Sequence, residues 1–125
     1  MTNKTLRTDI EILRKILKHQ KGLNETMKIL NLYSSSDIIA NNVVLKALAF
    51  DIGQIGELTD KLSDDTVDSF RSIHVKLAYS IRNRIDHAYL SVKPQEVALT
   101  AMQLSSKAAV EEIKSRIVYC VSCCK

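Results

Sequence analysis

The chain has almost no vocabulary for turns. One proline and three glycines among 125 residues cannot punctuate the many short strands of a sheet protein, while its abundant Leu, Ile, Lys, Ala and Glu favour helix. Long apolar runs are missing too: none approaches the roughly 20 residues that cross a bilayer. The segment after Met1 lacks the apolar core of a signal peptide, so the expected location is cytoplasmic, with no membrane partner. Cysteine is confined to Cys120, Cys123 and Cys124. An odd number with no sign of secretion argues against a disulfide framework, and a Cys-x-x-Cys pair with no neighbouring histidine is half of a tetrahedral zinc set. A reduced, frayed tail without metal is expected. A strong charge imbalance is absent as well, since 18 Lys plus Arg against 14 Asp plus Glu leave +4.

What is present fits a single helical domain over residues 1–125. With 46% apolar and 26% charged residues, the chain is long enough for one core and short for two. The pattern predicts an all-α, up-and-down four-helix bundle with an extra short helix. The first helix spans 6–21, with Ile10, Leu13, Ile16 and Leu17 on one face, and Gly22 closes it. A short piece follows at 25–30. Ser34-Ser35-Ser36-Asp37 offers caps for a second, longest helix carrying apolar side chains from 38 to 62. The third runs over 66–90 with an irregular start. The fourth opens at Pro94, the favoured first helical position, and reaches about 119. Short connections make consecutive long helices antiparallel neighbours. Gly53 and Gly56 lie inside the second helix, where each is about 1 kcal/mol worse than alanine; close packing within the chain or a contact between subunits would offset that.

The most informative stretch is Ser80 to Tyr89. At about 100° per residue, Arg82 and Tyr89 lie nearly one above the other, Asp86 falls beside them, and Asn83 and His87 follow round the helix. Leu77, Ala78, Ile81, Ile85 and Ala88 recur at three- and four-residue spacings on the opposite side, as a buried face requires. Taken by itself this pattern fits a hydrogen-bonded structural seam as well as a reactive site.

The Arg82-Asn83-x-x-x-His87-x-Tyr89 string resembles the signature of the HEPN superfamily, most closely its HepT-like branch, the toxin half of a prokaryotic toxin–antitoxin pair. The segment from Val44 through Ile55-Gly56-Glu57-Leu58 to Lys61-Leu62-Ser63 is similar to that family's second long helix, and residues 6–17 to its first. The aromatic, Pro-Trp-like lead-in common before the arginine is absent, and residues 70–79 stand in its place. The resemblance implies a metal-independent ribonuclease that acts as a homodimer with a composite site and needs no cofactor. It also implies that the motif tyrosine, here Tyr89, can be adenylylated by a partner nucleotidyltransferase of the MntA type, which would set a bulky anion beside Arg82 and block RNA.

The residue chemistry is compatible with that activity. Cleavage of RNA by its own 2′-hydroxyl removes one proton and donates another, a task for an imidazole that exchanges protons near neutral pH, hence His87 as general acid or base. Arg82, always charged and fork-shaped, suits the phosphate oxygens and the charge that builds on five-coordinate phosphorus. Asn83 and Asp86 are candidate orienting neighbours, and Arg84 and Lys76 candidate RNA contacts. One chain offers one well-placed histidine where acid and base together want two, so a two-fold dimer would complete the site. The competing class is a nuclease-silent accessory subunit that binds a nucleotidyltransferase or a nucleotide. Arg14, Lys15, Lys18, His19 and Lys21, and again Arg71, Lys76, Arg82 and Arg84, cluster as a solvated face or a polyanion-attracting stripe. His19 is expected at the surface, and His74 leads towards the motif.

Overall fold

A computed structural model of the protein describes residues 1–73, 78, 82 and 93–125. The fold is all-α: among the described residues there are six helices and no strand. They are α1 (Asn3–Ile29), α2 (Ser35–Ile39), α3 (Asn42–Asp60), α4 (Asp64–Ser69), α5 (Pro94–Leu104) and α6 (Lys107–Cys123).

Helix α1 starts where the Thr2 hydroxyl accepts the Thr5 N–H at 3.1 Å, and it runs straight through Gly22. The expected stop at Gly22 and the separate piece at 25–30 are therefore both corrected. Leu23 and Met27 extend the buried stripe of Leu6, Ile10, Leu13 and Ile16. Burying two such side chains, at about 1.5–3 kcal/mol each, outweighs a helical glycine. The actual end is a reciprocal cap in which Leu32 N–H donates to Met27 O at 2.7 Å and Asn31 N–H to Lys28 O at 3.2 Å. Asn31 takes the left-handed position (φ 54°) that glycine usually fills. A Cβ added at Gly22 would meet only Asp51 Oδ2, at 3.9 Å. Gly22→Ala should therefore stabilise the fold by about 0.5–1 kcal/mol, read as a higher urea midpoint; a lower midpoint would mean that this backbone needs glycine.

The second expected helix is two. Ser34 and Asp37 form a capping box for α2, each side chain accepting the other's backbone N–H at 3.2 Å. The chain then restarts at Asn41, whose Oδ1 accepts from Val43 and Val44 N–H at 3.0 and 3.2 Å. An asparagine side chain competing for backbone donors breaks what apolar spacing alone reads as continuous. The fourth expected helix divides likewise. Pro94 opens α5 as anticipated, but Ser105 Oγ donates back to Ala101 O at 2.7 Å and Ser106 Oγ caps α6 by accepting from Ala109 N–H at 3.2 Å. Of the third expected helix, α4 is a short separate piece ended by extended Phe70. Ala78 and Arg82 are helical, and the rest of 74–92 lies outside the described residues.

Helix α1 is the centre of the packing, with α6 and α3 against it. Both neighbours are antiparallel to it. Asn3 Nδ2 donates to Lys125 O at one end and Asn24 Nδ2 to Ser105 O at the other, while Asp9 meets Ser63 and His19 meets Asp51. Helix α5 covers α2 and α3. Leu13, Ile16, Leu48, Ile52, Leu104 and Ile113 are wholly enclosed between these elements. Two buried polar residues of α1 tie the ends together. Gln20 Nε2 donates to Leu104 O at 2.9 Å, taking up a carbonyl at the C-terminus of α5. Asp9, 1% exposed, accepts from Ser63 N–H at 3.0 Å, Ser63 Oγ at 2.5 Å and Thr66 Oγ1 at 2.7 Å, and so pins the start of α4 to α1.

The C-terminal thiols depart from the expected frayed tail, because α6 continues to Cys123 and Cys120 belongs to the core. Burial pushes the Cys120 thiol up, against a smaller opposing pull from Arg116. In a native alkylation experiment at pH 8, Cys123 should be labelled and Cys120 spared until denaturant is added; equal labelling of the two would contradict this burial. Since the folded thiol holds its proton above the ordinary thiol range, its contribution to stability is complete below that range and is lost as pH rises through it.

Candidate functional site

The motif arginine is held against α3, and a glycine makes the approach close. A Cβ placed on Gly53 would lie 3.6 Å from Arg82 Cβ and Cγ and 3.8 Å from its Cα. Gly53 is thus a packing position within the chain, one of the two readings its placement allowed. Alanine would fit there in ordinary contact, whereas a β-branched side chain would push the arginine away.

One turn further along α3, Glu57 Oε2 lies 3.6 Å from Arg82 Nε, and Glu57 Oε1 lies 3.7 Å from Lys61 Nζ. The Arg82 side chain is 31% exposed and that of Glu57 40%, so water screens the pair and its worth in stability is small. Its effect is directional, since it turns the Nε edge of a planar fork of five donors towards α3. Glu57 is the residue that sequence reasoning passed over; its only trace was its place in the Ile-Gly-Glu segment. Phe50, 63% exposed, shares this face of α3, three and seven residues before Gly53 and Glu57. Val43, also exposed, continues the stripe. A part-exposed guanidinium beside a carboxylate has the chemistry to meet an anion.

The other candidates divide sharply. Lys76, Asn83, Arg84, Asp86, His87 and Tyr89, with His74, lie outside the described residues. His19 is not a plain surface residue: it is half-buried, with Nδ1 3.1 Å from Asp51 Oδ1, bridging α1 to α3. Arg71 is engaged in its own loop, Nη1 donating to Asp68 O at 2.7 Å and Phe70 O at 3.1 Å, while its backbone N–H donates to Glu112 Oε1 at 2.6 Å. Among the described residues, no group of three His, Cys, Asp or Glu side chains is placed to hold a metal ion, and no helix is long and apolar enough to cross a membrane. Set beside family models, curated proteins and solved structures, the chain matches none of them.

Proposed function

We propose that the protein is a metal-independent endoribonuclease toxin of the HepT-like kind, working as a homodimer in which two copies of Arg82 and His87 flank one scissile phosphodiester. The observation that supports this best is the setting of Arg82. It stands on a helical residue packed against Gly53, is steered by Glu57, and reaches solvent.

In this reading one His87 takes the proton of the ribose 2′-hydroxyl, and the oxygen attacks phosphorus. The partner subunit's His87 gives a proton to the departing 5′-oxygen, leaving a 2′,3′-cyclic phosphate and a free 5′-hydroxyl. Arg82 neutralises the extra charge on the five-coordinate phosphorus. Asn83 and Asp86 orient the pair, and Arg84 and Lys76 hold flanking phosphates. Exposed Phe50 and Val43 on α3 offer apolar surface to the second copy. Tyr89 is the point of control, adenylylated by an MntA-like nucleotidyltransferase antitoxin. The test is incubation of the purified protein with end-labelled RNA in the presence of EDTA. Cleavage leaving cyclic phosphate ends is expected; intact RNA, or cleavage that EDTA abolishes, would overturn the proposal.

A further inference from the structure

The formal charge of the chain is not spread evenly. Helix α1 carries seven Lys and Arg against three Asp and Glu, a difference of +4 that equals the net charge of the whole protein. Eleven basic and eleven acidic residues remain elsewhere and cancel. Within α1 the bias concentrates further, for no acid intervenes between Glu11 and Glu25. Arg14, Lys18 and Lys21, spaced by four and three residues, fall on one stripe, and all three are exposed.

That stripe borders a shallow groove of about 710 Å³ between α1 and α6, lined also by Leu17, Gly22 and Val110. Glu25 is the acidic residue at its far end. Asn24 at the rim spends its amide on Ser105 O. Glu111, next to Val110, lies 4.0 Å from Lys114 Nζ, a weak, water-screened pair. Successive basic residues rise about 6 Å and 4.5 Å along the helix, a row of single charges rather than a cluster round one point.

We infer that this groove is a track for the phosphate backbone of single-stranded RNA, separate from the Arg82 centre. The inference rests on the ribonuclease reading only in taking RNA as the polyanion. A lipid surface is the poorer fit, because an inserting face needs large apolar side chains at its rim and none of the exposed ones lies between Glu11 and Glu25. The groove sets register and affinity without reading bases, since lysine and arginine heads on phosphates carry no sequence information.

The experiment uses the full chain carrying His87→Ala and a fluorescein-labelled 20-nucleotide uridine-rich RNA, with anisotropy followed between 50 and 300 mM KCl. Replacing Arg14, Lys18 and Lys21 together by glutamine should weaken binding about tenfold or more at the lowest salt and flatten the log K against log salt slope by about 2, at roughly 0.7 per lost phosphate contact. The control triple Lys4→Gln/Lys93→Gln/Lys125→Gln removes equal charge from exposed residues outside the groove and should leave the slope unchanged. Equal losses in both triples would reduce the groove to net charge and overturn the inference, as would an unaltered groove variant. So would groove-dependent sedimentation with phosphatidylglycerol vesicles in place of RNA binding. Failure of the nuclease reading is seen separately, as a chain with His87 intact that binds this RNA through the groove and leaves it uncut.

Discussion

Replacing His87 with alanine should lower the single-turnover rate of RNA cleavage by about 10²–10⁴-fold, the usual contribution of a positioned general acid or base. Arg82→Ala should lose about 10²–10³-fold, and Arg82→Lys should recover little of it, because an ammonium cannot grip two phosphate oxygens in the plane of a fork. The structure supplies a control that separates chemistry from folding. The ion pair of Arg82 with Glu57 spans 3.6 Å between part-exposed side chains, so loss of that pair should change stability by less than about 1 kcal/mol. Glu57→Gln removes the charge that steers the guanidinium and keeps its shape. It should reduce the cleavage rate by roughly tenfold with RNA affinity held. Arg82→Ala cleaving at the normal rate, while the melting curve moves by several degrees, would show that the arginine is a structural partner of α3 and nothing more.

Asp9→Ala should be among the most damaging single changes to the fold. Three donors converge on that carboxylate: Ser63 N–H, Ser63 Oγ and Thr66 Oγ1. Thr66 in turn accepts from Arg116 Nε at 3.2 Å, so the loss reaches α6. Hydrogen bonds to a charged group contribute about 1.5–3 kcal/mol each, and stranded donors carry a further desolvation penalty. Allowing for water entering the gap, a loss of about 3 kcal/mol is expected, a fall in melting temperature of roughly 10 °C for a chain of this size. Asp9→Asn preserves the volume but turns an amide towards donors, and should fall between. A thermal melt of the three proteins checks the order; an alanine variant as stable as the parent would mean that Ser63 and Thr66 find other acceptors.

The two sites were legible in the sequence to different degrees, for a physical reason. Arg82 belongs to a local string, and local spacing places its residues around one helix. Its partner is 25 residues upstream, and no periodicity links Glu57 to it. Asp9 was not singled out by the sequence, although it stands between Leu6 and Leu13 on a stripe that the structure buries. An acid there must find donors, yet which ones depends on where α4 docks. His19 shows the same limit: its neighbours in sequence are lysines, but its neighbour in space is Asp51.

Chain order and composition were enough to determine that the protein is helical, that Ser34 and Pro94 begin helices, and that basic residues cluster between Arg14 and Lys21. These follow from propensity, capping and charge, which act over a few residues. Tertiary structure decided the remainder: that Gly22 does not end α1, because buried Leu23 and Met27 outweigh it; that Asp9 is a core residue; and that Arg82 lies against Gly53 with Glu57 to aim it. Each of those depends on what another helix presents across the gap, and the energy of burying or pairing a side chain there exceeds the fraction of a kcal/mol by which local preferences differ.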